Sequence, residues 1–291
     1  MDLTSSLDYL GSAECFDSLR KDPYWPKWNS PWWHMVLLWE LGEAQKIPRA
    51  SGGAMLEAMD RKWLRGYLPS ELPENVNRQT DMPCFCGAGI IEQVLREAGA
   101  DFDGAVPWLR GWGLKYVLPD GGVNCDEGVY LEKGSKKSSY QSTVALAEGV
   151  LSRPALTPEE VRFLDGVANY LLVRKLFRTS MGEVVDLGWL QPKFPRFYDY
   201  DTLRGLRYLA RWKTRLGREV PKDAVAEALK HLPEKGPVKT EPADCITHPA
   251  HPGVGLGHGK QAEWFPLLKT AVALGTVPSG KMRDEVFAAL G

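Results

Sequence analysis

Five segments of this chain carry apolar residues at three- and four-residue steps and close at or near a glycine. They are PWWHMVLLWELG (31–42), PCFCGAGIIEQVLREAG (83–99), SSYQSTVALAEGVL (138–151), PRFYDYDTLRGLRYLARWKTRLG (195–217) and QAEWFPLLKTAVALG (261–275). That period belongs to helices, and no run alternates with the period of two that a half-buried strand needs. Ile90, Ile91, Val94 and Leu95 make one such stripe, and Leu203, Leu206 and Leu209 another. Gly99, Gly217 and Gly275 stand where a left-handed residue would stop a helix. Pro31, Pro83 and Pro195 stand at or near the starts, where the first turn tolerates a missing N–H.

A second, more charged helical set lies between these segments, at 51–65, 103–112, 157–178, 222–232 and 279–290. Thr157-Pro158-Glu159-Glu160 opens one of them as a capping box. Charge such as that in KMRDEVFAAL predicts that this set faces outward. Starts of the first set at 31, 83, 138, 195 and 261 are 52, 55, 57 and 66 residues apart. The pattern predicts an all-α chain of helical hairpins in one domain over 1–291, with residues 5–20 adding one more outer helix. Links within a hairpin are short, whereas the returns at 66–82, 113–137, 179–194 and 233–260 are long and rich in Gly, Pro and polar residues. In a ring of hairpins those returns gather on one face, beside the N-termini of the inner helices, where loops on a rigid scaffold carry function.

Composition narrows the partners. The 36 Lys and Arg against 37 Asp and Glu leave a net charge of -1, so no global field draws the chain to nucleic acid or to an anionic membrane. The opening MDLTSSLDYLGSAECF lacks a basic n-region and an apolar h-region. No stretch approaches the ~18 apolar residues of a membrane span. Five scattered cysteines make no disulfide framework and fit a reducing compartment, so the expected location is cytoplasmic. The 11 Trp call for either a thick core or a cavity lined with rings. No P-loop, dinucleotide fingerprint, nucleophile elbow or kinase signature occurs, and no cofactor is expected.

PDGGVNCDEG (119–128), KSSYQSTVALAEGVL (137–151) and FPRFYDYDTLRGLRYL (194–209) resemble the terpenoid cyclase / protein prenyltransferase superfamily. The nearest likeness is to its squalene-cyclase-like bacterial members of unassigned activity. The resemblance spans roughly residues 30–275 as a pattern of repeats. It implies an α/α toroid of five to six helical hairpins around a central cavity, with DGG as the turn before an inner helix. The chain departs from the superfamily's reactive motifs. Asp199-Tyr200-Asp201-Thr202 carries Thr where the cyclases' Asp-x-Asp-Asp ends in Asp, and no Asp-Asp-x-x-Asp diphosphate motif is present. The zinc set of the prenyltransferases is an Asp, a Cys and a distant His. Its nearest counterparts here are Cys125 and Asp126, with Gln141 at the place of the histidine.

Several groups of residues admit two readings each. Cys84 and Cys86 open the second inner helix either as an activated thiol or metal ligand, or as small apolar residues at a crowded helix start. Cys245, His248, His251 and His258 have a spacing that could hold zinc, or form a solvated loop. Neither cysteine group has a complete ligand set, so no stoichiometric zinc is expected. Asp199 and Asp201, two residues and about 200° apart on a helix, are either a cap with its ion pair to Arg196 or Arg204, or a cavity acid beside Tyr198. Trp32, Trp33, Trp39 and Trp264 are core, or rings that stack on a ligand. Lys133, Lys136 and Lys137 form a basic run before the third inner helix, either solvated or an anion contact.

Together these predict an aromatic-lined central cavity that binds a small molecule, isoprenoid-like or carbohydrate-like, at the inner-helix N-termini. Its ligand would meet Trp32, Trp33, Cys84, Cys86, Tyr140, Gln141 and Trp264, with Cys125 and Asp126 from the roof loop and Tyr198, Asp199 or Asp201 as the acid or base. The alternative is a non-catalytic scaffold for a protein partner, with a plugged centre and an exposed apolar patch.

Overall fold

The computed structural model describes residues 1–63, 84–125, 136–244 and 264–291. Among them the chain is helical, and its extended pairing is limited to two isolated bridges, Arg178 with Val184 and Lys193 with Glu241. The helices are α1 (Thr4–Leu10), α2 (Ala13–Lys21), α3 (Pro31–Glu40), α4 (Arg49–Lys62), α5 (Phe85–Glu97), α6 (Phe102–Ala105) and α7 (Leu109–Trp112). They continue with α8 (Tyr140–Leu151), α9 (Pro158–Val173), α10 (Thr202–Leu216), α11 (Lys222–Leu229), α12 (Pro266–Leu274) and α13 (Thr276–Leu290). None of them is long and apolar enough to cross a membrane.

The ends of these helices follow from local chemistry. Thr157 and Glu160 close the expected capping box at α9. Ser12, Cys84, Ser139 and Asp201 each accept a backbone N–H in the first turn of α2, α5, α8 and α10. Gly99 and Gly217 take the left-handed conformation that ends α5 and α10.

Other boundaries differ from the sequence pattern. Residues 5–20 form two helices, because Ser12 caps a new one. Segment 103–112 breaks into α6 and α7, with Pro107 between them. Segment 157–178 stops at Val173, and Lys175 and Leu176 both have positive φ. Segment 195–217 is helical only from Thr202, because the Asp201 side chain takes the Arg204 N–H and starts the helix there. Gly275 has φ -65 and does not stop the chain in the left-handed region; α13 begins directly after it. A side chain at Gly275 would collide with the Phe194 ring.

The most buried helices are α3, α5 and α8. From Phe85 to Leu95 every residue of α5 is buried, and in α8 all but Gln141 are. A helix apolar on all sides belongs in the interior. Packing contacts run α1–α3–α5–α8–α10–α13–α12 and return to α1, while α4, α6, α9 and α11 pack outside this circuit. The return from α12 to α1 is sealed at His34, which stacks on Phe265 at 3.8 Å and hydrogen-bonds Ser6 at 3.0 Å. KMRDEVFAAL, expected to face outward, packs in α13 against α10, because Glu285 pairs with Arg207 and Arg211 there, while Lys281 and Asp284 stay exposed.

Candidate functional site

A cavity of about 430 Å³ opens where the C-terminal ends of α3, α5 and α8 meet α10, α13 and the turn at 196–197. Six cations face it, namely Arg96, Arg196, Arg204, Arg207, Arg211 and Lys281. The facing carboxylates are four: Glu40, Glu97, Glu148 and Glu285. Arg204 pairs with Glu148 at 2.7 Å and Arg196 with Asp201 at 2.9 Å. Arg207 and Arg211, one turn apart on α10, share a single carboxylate, Glu285, at 2.8 and 2.6 Å. Burial, and then the charge of Arg211, hold Arg207 below the usual arginine range. Burial alone would raise the Glu285 carboxyl, but the hydrogen bonds from Arg211 and Arg207 outweigh it and hold it low. An adjoining cavity of about 490 Å³ shares Glu148, Ser152, Arg211 and Glu285, and continues between Leu151, Ala210, Ala288 and Ala289.

Glu40 ends α3 at the wall of the first cavity. Its carboxylate accepts from two successive backbone N–H groups, Arg196 at 2.8 Å and Phe197 at 2.6 Å. Burial raises its pKa against the opposing charge of Arg196. Phe197 holds φ 49, a conformation that non-glycine residues rarely adopt and that costs of order 1–3 kcal/mol. The strain falls at the turn that delivers Arg196 to the cavity.

A second cluster sits at the other end of α5 and α8. Cys84 is the N-cap of α5, and its Sγ accepts the Gly87 N–H at 3.1 Å. Cys86 follows in the first turn. Cys125 arrives on the turn after DGG, with Cys125 Sγ 3.3 Å from Cys86 Sγ and 2.9 Å from Ser142 Oγ. The three sulfurs lie within 4.8 Å of one another. Hydrogen bonds from the Cys125 and Cys86 thiols hold Cys84 well below the usual thiol range. Contacts with Cys125 and Cys84 push Cys86 well up, and the contact with Cys84, aided by burial, pushes Cys125 to about 12 against the opposing contact with Cys86.

No protein-family model, curated protein or solved structure matches this chain. The placement of each expected residue therefore rests on the geometry alone.

Cys84, Cys86 and Cys125 come together, and Trp32 lies beside them, since a Cβ on Gly87 would fall 3.1 Å from Cys84 Sγ and 3.3 Å from the Trp32 ring. Asp126, Cys245, His248, His251 and His258, with Lys133, lie outside the described residues. Trp32 and Trp33 are 1% exposed and packed among Tyr24, Trp28 and Phe197, which makes them core. Tyr140 is buried in a ring cluster with Tyr170, Trp189 and Tyr200, and its hydroxyl donates to the Arg178 carbonyl. Tyr198 and Asp199 are half-buried, with Lys27 Nζ 3.3 Å from the Tyr198 hydroxyl. Gln141 and Trp264 are half-buried as well.

Asp201 is fully buried and accepts from Lys193 N, Arg204 N and Arg196 Nε at 2.7, 2.7 and 2.9 Å. Those contacts occupy it as a cap and ion-pair partner, the structural alternative of the two. The arginine-lined cavity differs from the expected one: its wall is mostly charged, with Trp39 and Phe197 as its aromatic members, and it lies at the C-terminal rather than the N-terminal ends of α3, α5 and α8. Cys125 joins Cys84 and Cys86, which raises that group from two sulfurs to three.

Arg196 and Arg204 entered the sequence pattern only as ion-pair partners of an aspartate, and the stripe that faces the cavity was missed although its signal was present. Arg204, Arg207, Arg211 and Arg215 recur at helical steps of three and four along an otherwise apolar segment. Such a stripe needs anionic partners or water.

Proposed function

We propose that the chain is an α/α toroid whose cavity binds a small anionic molecule with an apolar portion. The closed circuit of helix contacts supports the architecture. The observation that carries the ligand class is the pair Arg207 and Arg211 on one carboxylate. Like charges one helical turn apart repel, and sharing Glu285 leaves the two guanidinium groups without an ion-pair carboxylate each. The C-terminal dipole ends of α3, α5 and α8 oppose this positive charge by up to about half a charge each, an effect confined to their last turns. Planar guanidinium groups suit a carboxylate or a phosphate bidentately. The adjoining cavity, walled by Leu151, Ala210, Ala288 and Ala289, would take the apolar part. An isoprenoid-like acid or phosphate, the ligand class implied by the resemblance to terpenoid cyclases, fits both.

Calorimetric titration with pyrophosphate, farnesyl diphosphate and a sugar phosphate tests this reading. At least one should bind, and Arg211→Gln should weaken it about tenfold or more, as the loss of a charged hydrogen bond does. Glu285→Gln, which removes the competing carboxylate, should tighten binding. If none of the three binds, or if Glu285→Gln and Arg211→Gln weaken binding alike, the cavity is not an anion site.

A second reading, as a protein-interaction module, rests on a separate observation. Val173, Met181, Val185 and Leu187 expose 62%, 86%, 45% and 69% of their surface around the Arg178–Val184 bridge. It gains support if the anions fail to bind while Met181→Asp and Leu187→Asp alter the chain's own association in sedimentation.

A further inference from the structure

We propose that Cys84, Cys86 and Cys125 form a thiolate site for a single zinc ion. The site lies at the opposite ends of α5 and α8 from the charged cavity and is independent of the anion reading.

The first argument is convergence. The structure brings together three of the chain's five cysteines from positions 39 residues apart in sequence, with no disulfide between them. In a tetrahedral site with Zn–S bonds of about 2.3 Å, neighbouring sulfurs stand about 3.8 Å apart. Cys86 and Cys125 are 3.3 Å apart and no pair exceeds 4.8 Å, so shifts of about an ångström bring three sulfurs to ligating distance. Simple apolar packing asks only for small side chains and gives no reason for three sulfurs to point at one another.

The second argument is support. Each ligand is fixed by a separate backbone device. Cys84 is held as the N-cap of α5 and Cys86 by the first turn of that helix. Cys125 is held because its N–H donates to Ser142 Oγ at 3.3 Å, while the preceding Val123 N–H donates to Thr143 Oγ1 at 3.0 Å. Farther back on the same turn, Asp120 accepts from the Ser138 N–H and hydroxyl. Ser142 Oγ also lies 3.6 Å from Cys86 Sγ, so one hydroxyl supports two ligands, an outer contact of the kind that orients metal-bound groups.

The third argument is charge. The opening turn of α5 favours thiolate at Cys84, whose Sγ accepts the Gly87 N–H, and the Lys27 charge acts on Cys84 in the same direction. Three thiolates on a divalent ion leave one net negative charge, which these groups can balance. Soft sulfur ligands in tetrahedral array select zinc over magnesium or calcium. They fill three of its four positions. Binding displaces the thiol protons to solvent, so zinc uptake should release protons.

The test is elemental analysis of the full chain purified under reducing conditions, together with the spectrum of the cobalt-substituted protein. We expect about one zinc per chain and an intense near-ultraviolet thiolate-to-cobalt charge-transfer band. Cys86→Ser and Cys125→Ser should lose most of the zinc, whereas Cys15→Ser and Cys245→Ser should keep it. If the first two variants fail to fold, the intensity of the wild-type cobalt band still counts the thiolates. Protein free of zinc whose cobalt form lacks the band overturns the site. So does a disulfide between Cys86 and Cys125, or zinc that leaves with Cys245→Ser alone.

Discussion

His34 shows how one buried side chain can set the pH response of the fold. Its ring lies between Tyr9 and Phe265, 4% exposed, with Ser6 on Nδ1. Burial lowers its pKa to about 3 from an ordinary value of 6.5. The unfolded chain therefore takes up a proton below pH 6.5 that the folded chain refuses. Stability should fall as the pH drops from 6.5 toward 3, by about 1.4 kcal/mol per pH unit, or about 2 kcal/mol at pH 5. Urea midpoints at pH 7 and pH 5 check this, and His34→Asn should flatten the slope whatever it does to the absolute stability. An unchanged slope in that variant would assign the acid sensitivity elsewhere. At this scale the sequence was partly legible. Asp201 could be read as a cap from its place before an apolar stripe. The meeting of Cys125 with Cys84 and Cys86 could not be read, because it depends on which loop reaches which helix start.

Helices α5 and α8 meet backbone to backbone, and two glycines make that possible. A Cβ on Gly149 would sit 2.8 Å from Gly89 Cα, and one on Gly89 would fall inside the Ala145 carbonyl. Neither glycine has positive φ, so close approach is the whole reason for them. Gly89→Ala must push the two most buried helices apart, and overpacking of this kind costs about 1–3 kcal/mol or more. Gly53, in the middle of α4, has nothing within 4 Å of an added Cβ. Gly53→Ala should raise stability by about 0.5–1 kcal/mol through helix propensity. Thermal melts of the two variants should therefore move in opposite directions, and a harmless Gly89→Ala would contradict the packing. The sequence made the helices legible through apolar steps, Thr157-Pro-Glu-Glu and Gly217. It misplaced the start of α10 because the stripe of period 3.6 blends into an aromatic run at 194–200, and only the bonding of Asp201 sets the boundary.

Across the whole molecule, the circuit of apolar helices is tied together by charges buried inside it. Arg153, 1% exposed, follows α8 and donates to Glu92 of α5 at 2.7 Å and to Glu160 of α9 at 2.7 Å. It also donates to the Arg110 carbonyl of α7 at 3.0 Å. Arg110 returns to Glu160, and Arg96 bridges Glu92 to Asp103. Four helical elements thus meet at one guanidinium. In the sequence these appear as isolated charges in apolar runs, Glu92 in GIIEQVLRE and Arg153 after AEGVL, whose partners are set by tertiary packing alone. Removing one member of a buried pair strands the other, at about 3–5 kcal/mol, whereas replacing both by apolar groups can be nearly neutral. Arg153→Met should accordingly destabilise the chain by about that amount in urea unfolding. Adding Glu92→Met should recover at least half of the loss, because Arg96 keeps Asp103 and Arg110 keeps Glu160, so no charge is left alone. The sign of the coupling is what matters. If the double variant loses the full sum of the two singles, Arg153 holds the helices by packing its stem rather than by charge, and the network does not tie the fold together.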